Sequence, residues 1–105
     1  MTDRVATFRA MVARTPDNAL ARFGLANELL KVQDFAGAIE QLEVYLAVYP
    51  DEGNGWGRYA DALREIGRVE DARAAFDKGI DAAGRFGHSG LANELVFRRD
   101  ELDDM

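Results

Sequence analysis

Few residues in this chain have the type and spacing needed for catalysis. His88 is the only histidine, and it stands beside Ser89 in a Gly-His-Ser-Gly segment. A histidine that acts as a general base needs a positioned nucleophile and a third group that orients its ring. Ser89 is adjacent to the histidine only in sequence, and no segment predicts an oxyanion hole. The sequence therefore does not predict an enzyme.

Ligands for metals and cofactors are equally scarce. The chain has no cysteine, which excludes disulfides, thiolate nucleophiles, zinc–thiolate sites and iron–sulfur clusters. The acidic residues at 100–104 lack the spacing of a calcium-binding loop. The glycine-rich segment 53–57 follows a helical pattern and Pro50, whereas phosphate-binding loops follow a strand. We predict a flexible turn at 53–57, and no cofactor or metal.

The charge balance limits the possible partners. Nineteen acidic and thirteen basic residues give a formal net charge of −6. Nucleic acids and anionic membranes bind proteins through basic surfaces, so neither is an expected partner. No apolar run approaches the roughly 18–20 residues of a membrane span, and the first residues lack the pattern of a signal peptide. These features predict a cytoplasmic protein.

The sequence repeats itself at an offset of 34 residues. Small residues fall on small ones, as Ala26 on Ala60 and Ala38 on Ala72. Pro16 falls on Pro50, and large apolar residues also coincide. The large apolar series are Phe8, Leu42 and Phe76; Val12, Leu46 and Ile80; and Leu29 and Leu63. A 34-residue period is typical of repeats that stack side by side.

Each period reads as helix, turn and helix. Apolar residues recur every three or four positions, Asp34 is predicted to be an N-cap, and glycines mark the later turns at Gly67, Gly84 and Gly87. Ser89 is predicted to cap the last helix. The predicted helices are 3–14, 18–32, 35–48, 54–66, 69–83 and 89–103.

The repeat also predicts the core. Alanines at 26, 38, 60 and 72 would let paired helices approach closely, while Leu29, Leu42, Leu63 and Phe76 fill the space beside them. Among the aromatic residues, Trp56 is the strongest core candidate. In the last helix, Leu91, Leu95 and Leu102 share an inward face, and Phe97 points away from it.

These residues resemble the tetratricopeptide repeat, whose signature is W-x2-L-G-x2-Y, then A-x3-F, then P. The second unit has Trp56-x2-Tyr59-Ala60-x2-Leu63 and Ala72-x3-Phe76, with Gly84 in place of proline. The first has Arg22-x2-Leu25-Ala26-x2-Leu29, Ala38-x3-Leu42 and Pro50. The chain is similar to small, stand-alone bacterial proteins of this family.

The resemblance implies a single all-α domain over 1–105 in which antiparallel helix-turn-helix repeats stack as a short right-handed α-solenoid. A leading half-repeat would span 3–17, repeat 1 would span 19–52, repeat 2 would span 53–86, and a capping helix would span 88–103. Neither repeat could bury its own apolar face, so each would depend on its neighbours.

The resemblance further implies a protein–protein interaction module, an adaptor or scaffold that holds a peptide or protein segment in a concave groove. The first helix of each repeat would line that groove. A ligand with apolar anchors and a nearby carboxylate would suit it, since arginine binds carboxylates with two hydrogen bonds. The implied groove residues are Leu20, Phe23, Asn27, Leu30, Lys31, Asn54, Arg58, Asp61 and Arg64, with Gly57 leaving space among them.

Two alternatives stay open at the level of sequence. The helix within Met1–Arg14 could cover Phe23 and Leu30, which would leave less of the groove exposed. The chain could also build a weak homo-oligomer through Phe97 or the Met1–Arg14 edge, with no separate ligand. The family's carboxylate clamp for chaperone tails is not expected, because only Asn27 matches a clamp position.

Overall fold

Short polar side chains begin three of the helices in the computed structural model, which describes residues 3–105. Asp3 Oδ1 accepts a hydrogen bond from the Ala6 amide, Asn18 Oδ1 from the Ala21 amide and Asp34 Oδ1 from the Gly37 amide. Each cap satisfies an amide that has no partner within its own helix. The predicted cap at Asp34 is confirmed. Residues 1 and 2 of the predicted leading segment lie outside the described residues.

Six helices form two compact units, and residues 3–105 contain no strand. The first unit extends to Tyr49 and contains α1 (Arg4–Arg14), α2 (Ala19–Lys31) and α3 (Phe35–Val48). The second runs from Pro50 to Met105 and contains α4 (Asn54–Glu65), α5 (Val69–Arg85) and α6 (Ser89–Glu101), followed by a 3-10 turn at Leu102–Asp104. The helices pack in adjacent pairs within each unit. The predicted all-α fold of paired helices is confirmed.

The core of the first unit lies between α2 and its two neighbours. Leu25 and Leu29 of α2 and Ala38 of α3 form a buried cluster. Val5, Phe8 and Val12 of α1 and Leu30 of α2 pack against this cluster and remain half-buried. A β-carbon on Gly24 would collide with the ring of Phe8. Helix α1 thus lies close to α2 only because residue 24 has no side chain.

An ion pair joins the same two helices at the edge of this core. Glu28 is buried, and its Oε1 accepts from Arg4 Nε at 2.8 Å and from Lys31 Nζ at 3.2 Å. The hydrogen bond from Arg4 is the largest influence on the pKa of Glu28 and holds it below the ordinary value of 4.5. Burial works in the opposite direction, and Lys31 adds to the lowering. The charged form of Glu28 is therefore favoured in the folded chain.

The core of the second unit is built from large side chains set against small ones. Leu63, Phe76 and Leu95 are completely buried, and so are Ala60 and Ala72. A β-carbon on Gly57 would lie 2.7 Å from Leu95 Cδ2, so α6 approaches α4 where α4 has no side chain. Leu102 is buried as well. The predicted inward face of the last helix, and the predicted small and large core positions, are confirmed.

Three turns share one backbone form. Gln33, Gly67 and Gly87 have positive φ angles of 61°, 83° and 76°. In each turn, the amide of the next residue donates a hydrogen bond to the carbonyl of the residue five positions earlier. The pairs are Asp34 to Leu29, Arg68 to Leu63, and His88 to Ala83. Glycine adopts this conformation without strain, which explains two of the three positions.

Four local predictions were wrong. Helix α5 continues through Gly84 to Arg85 and ends before Gly87, so Gly84 is not a terminator. Trp56 is half-buried rather than a core residue, with Lys78 Nζ 5.2 Å from its ring centroid. The residue before α6 is His88, and Ser89 is the first residue of the helix. The segment predicted as a flexible turn is helical from Asn54 onward, where the helix predicted at 54–66 begins.

The carboxylate of Asp51 binds the backbone of the glycine-rich segment 53–57. Its Oδ2 accepts from the amides of Gly53 and Gly55 at 2.9 Å and from that of Trp56 at 3.3 Å. The Asp51 carboxylate is buried, and Gly53 adopts a φ angle of 121°. A carboxylate at a helix N-terminus satisfies otherwise unpaired amides and interacts favourably with the helix dipole.

We predict that Asp51→Ala destabilises the protein by about 1–2 kcal/mol, since it leaves amides at the start of α4 without their acceptor. Thermal unfolding followed by circular dichroism should show a melting temperature lower by roughly 4–8 °C for each kcal/mol lost. Asp17→Ala, at an exposed aspartate before α2, serves as the control and should melt like the wild type. Equal melting of the two variants would contradict the capping role.

We also predict that Glu28 makes folding sensitive to acid. Its folded pKa lies below its unfolded value, so the stabilisation is present above the unfolded pKa and is lost as the pH falls through the folded pKa. In denaturant titrations, Glu28→Gln should be less stable than the wild type at neutral pH. The difference should shrink as the pH falls below 4.5. Glu40→Gln, at an exposed glutamate, should show no such convergence.

Candidate protein-binding faces

One face of α2 carries all five of the groove residues predicted for the first repeat. At about 100° of rotation per residue, their spacing places them on a stripe roughly 100° wide. We call this stripe the α2 face. Helix α1 lies beside it, over Gly24 and Glu28, and does not cover Leu20, which is 59% exposed. The members of the α2 face are Leu20, Phe23, Asn27, Leu30 and Lys31.

An aromatic stack supports the α2 face from behind. The ring of Phe23 lies 4.7 Å from that of Tyr45, centroid to centroid, and Tyr45 lies 5.1 Å from Tyr49. Tyr45 is buried, whereas Phe23 is half-buried and Tyr49 is 39% exposed. Offset and tilted aromatic pairs of this kind hold rings in a fixed position. Phe23 therefore presents part of its ring on a rigid backing supplied by α3.

The polar residues of the α2 face differ in whether their side-chain atoms have hydrogen-bond or ion-pair partners. Asn27 is half-buried, and its Oδ1 is buried with no hydrogen-bond partner among residues 3–105. Lys31 is exposed and its ammonium group pairs with Glu28. A buried acceptor without a donor costs free energy, and this oxygen has no accessible surface that a ligand could contact.

Leu30 contributes to the core of the first unit as well as to the α2 face. It is half-buried and packs on the same core cluster as Val5, Phe8 and Val12 of α1. Phe23 packs on Tyr45 of α3 instead. The exposed apolar part of the α2 face therefore centres on Leu20 and Phe23.

The residues predicted for the second repeat lie on α4, and α6 occupies part of their surface. We call Asn54, Arg58, Asp61 and Arg64 the α4 face. Arg98 of α6 forms an ion pair with Asp61 Oδ2 and donates to the Gly57 carbonyl at 3.3 Å. The Arg98 guanidinium carbon also lies 5.6 Å from the ring centroid of Phe76. The last helix thus covers Gly57 and neutralises Asp61.

The other members of the α4 face stay accessible to different degrees. Asn54 is exposed, and Arg58 and Arg64 are half-buried. Arg64 Nη2 lies 3.5 Å from Glu65 Oε1, a separation at which an ion pair near the surface is weak. Asp61 Oδ1 is buried and lacks a hydrogen-bond partner within the described residues. The α4 face is therefore polar, in contrast to the apolar centre of the α2 face.

The two faces belong to different units, and each is described within its own unit. That all nine residues line one continuous groove stays a prediction from the sequence.

Sequence reasoning missed Tyr45 and Tyr49 as supports of Phe23, and Arg98 as the partner of Asp61. The tyrosines carry a signal, since aromatic residues four positions apart share a helix face, whereas nothing in the sequence marks Arg98 apart from its neighbour Arg99.

His88 pairs with Glu52. Its Nε2 lies 2.6 Å from Glu52 Oε1 in an open depression whose other walls are Asn54 and residues 87–91. Both side chains are about half exposed. Ser89 is the first residue of α6, and no contact pairs its hydroxyl group with the imidazole within residues 3–105. Within that range, no group of three potential metal ligands converges.

Comparisons with known proteins agree with this fold. A family model described as tetratricopeptide repeat matches residues 23–85, which are 63 of the 105 residues. The TPR repeat-containing protein PA0015 of Pseudomonas aeruginosa is 31% identical over 93 residues, and the match covers 89% of each chain. No helix within residues 3–105 has the length and apolar character needed to cross a membrane.

Solved structures share this fold. The solution structure of protein BPP2914 from Bordetella parapertussis is 27% identical, with a TM-score of 0.83 over 99% of this chain and 90% of that one. The crystal structure of MamA is 14% identical, with a TM-score of 0.69 over 93% of this chain and 66% of that one. Tetratricopeptide repeats are in general non-catalytic modules for protein–protein interaction. Since both the family model and a relative above 30% identity match most of its length, the chain belongs to the tetratricopeptide repeat family.

Proposed function

We propose that this protein is a binding module that holds an extended peptide or protein segment on the α2 face, with further polar contacts from the α4 face. The observation that carries the proposal is the exposed Leu20 on the same helix stripe as Phe23, whose ring packs on Tyr45. Leu20 is 59% exposed, and Phe23 is half-buried. An apolar side chain of a peptide could contact both. The cytoplasmic location expected from the sequence is part of this proposal.

The apolar part of the binding energy would come from Leu20 and Phe23. Burying an exposed leucine side chain contributes about 1.5–3 kcal/mol. The rings of Tyr45 and Tyr49 hold Phe23 in place before any ligand arrives. A rigid surface loses little side-chain entropy on binding, so more of the contact energy appears as affinity.

The polar part would select the sequence of the ligand. Arg58 and Arg64 offer guanidinium groups, which bind carboxylates more strongly than neutral acceptors do. Asp61 is already paired with Arg98, so a basic residue of the ligand would have to compete with α6. We therefore propose a ligand with apolar anchors and at least one carboxylate, and not a basic segment.

We predict that peptides selected from a random display library against the wild-type protein lose affinity for the variant Leu20→Asp. A charge in place of Leu20 removes the apolar contact, and isothermal titration calorimetry should show binding weaker by about tenfold or more. Val32→Asp is the matched control, because Val32 is 63% exposed but lies at the end of α2, outside the stripe. Equal binding to both variants, or no enriched peptide at all, would refute the α2 face as the site.

We further predict that Arg58→Glu combined with Arg64→Glu abolishes the binding of acidic peptides from the same selection without unfolding the protein. The replacements repel carboxylates where the wild type attracts them. Lys78→Glu with Arg85→Glu changes the net charge by the same amount on the Trp56 side of α5, and should bind like the wild type. The milder Arg58→Gln with Arg64→Gln keeps the test valid if charge reversal lowers the melting temperature. Unchanged binding by a folded variant would remove the α4 face from the proposal.

A further inference from the structure

Helix α6 has an outer face whose residues are exposed. Leu95 and Leu102 are buried on its inner side, whereas Phe97 is 68% exposed on the opposite side. The side chains of Glu94 and Asp100 are 63% and 61% exposed, and within α6 they pair with Arg98 at 3.5 Å and with Arg99 at 3.3 Å. One large apolar side chain is thus surrounded by carboxylates. The members of this α6 outer face are Gly90, Asn93, Glu94, Phe97, Asp100 and Glu101.

Helix α1 has an outer face of the opposite charge. Among the six helices of residues 3–105, α1 alone contains no acidic residue, and it carries three arginines. Arg4 pairs with Glu28, but Arg9 and Arg14 are exposed and have no ion-pair partner within the described residues. Between them lie exposed small residues that leave room for a large side chain. The members of this α1 outer face are Ala6, Arg9, Ala10, Ala13 and Arg14.

We propose that the α6 outer face of one copy docks on the α1 outer face of a second copy, head to tail. Phe97 would lie against the alanines of α1, and Glu94, Asp100 and Glu101 would face Arg9 and Arg14. The net charge of −6 makes most encounters between copies repulsive, so local complementarity has to select the contact. The unpaired arginines of α1 supply a basic helix face for this contact. This inference does not depend on the proposed peptide binding.

The contact should be weak and sensitive to salt. Two helices of 11 and 13 residues form it, which offers less area than the roughly 1,200 Å² found in stable complexes. Charge pairs at the edge of such a contact are exposed, and salt at about 0.1 M screens them beyond about 10 Å. A head-to-tail contact also leaves one face of each kind free, so association can continue beyond a dimer.

Two blocked variants test the proposal by sedimentation velocity over a series of concentrations at low ionic strength. Arg9→Glu with Arg14→Glu blocks the α1 outer face and leaves the α6 outer face intact. Phe97→Ser removes the ring from the α6 outer face without adding charge. We expect the wild type to associate as its concentration rises, and each blocked variant alone to associate about tenfold or more weakly.

Mixing the two blocked variants is the decisive step. Each supplies the face that the other lacks, so the equimolar mixture should form a dimer that neither forms alone, and added salt should dissociate it. A wild type that stays monomeric at every concentration would overturn the proposal. So would a mixture that stays monomeric. Self-association of Arg9→Glu with Arg14→Glu as strong as that of the wild type would show instead that two α6 faces pair with each other.

Matched controls separate the contact from general effects. Lys78→Glu with Arg85→Glu makes the same change in net charge at residues that belong to neither face, and should associate like the wild type. Phe86→Ser removes a phenylalanine that is 47% exposed but lies before α6, and it should also associate normally. Selected peptides should bind the blocked variants as tightly as the wild type, so loss of self-association and loss of peptide binding can be told apart. If an acidic peptide from the selection dissociates the wild-type assembly by binding α1, the occupant of that face is a foreign ligand and the proposal fails.

Discussion

Close approach of helices at positions without side chains is the constraint on which the rest of this structure depends. Gly24 admits the ring of Phe8, and Gly57 admits the side chain of Leu95. Fully buried alanines at 26, 38, 60 and 72 act in the same way where the paired helices meet. Because interiors are packed as tightly as organic crystals, a larger residue at such a position would force the neighbouring helix to move. The placement of α1 beside the α2 face, and of α6 against α4, follows from two glycines.

This constraint also explains what could be predicted from the sequence. The 34-residue pattern of small and large residues reports the packing directly, and so it predicted the helices and the buried positions from Leu29 to Phe76. Trp56 was misjudged because a family signature gives a typical environment, whereas here Gly79 lies close to the Trp56 Cβ and the indole extends towards Lys78. Gly84 was misjudged because glycine ends a helix only where φ becomes positive, and in this turn Gly87 takes that conformation.

The candidate faces were harder to predict than the fold, for a physical reason. Residues such as Leu20, Asn27 and Asp61 could be assigned to helix stripes by spacing alone, because rotation per residue is fixed. Which of them stay open depends on side chains distant in sequence: Arg98 reaches Asp61 over 37 positions and Arg4 reaches Glu28 over 24. Long, flexible arginine side chains can reach many acids, so no period in the sequence specifies these pairs.

The arginines of this chain differ in whether they pair with an acidic residue on another helix of their own unit. Arg98 and Arg99 join α6 to α4 and α5 through Asp61 and Asp77, and Arg4 joins α1 to α2 through Glu28. Each of these pairs stabilises a helix against its own unit. Arg9 and Arg14 form no such pair within residues 3–105, and both side chains are exposed. Arg9 and Arg14 are therefore exposed basic side chains of α1 that a partner outside the chain could pair with. The acidic outer face of α6 on a second copy has the charge and the exposed ring that such a partner needs.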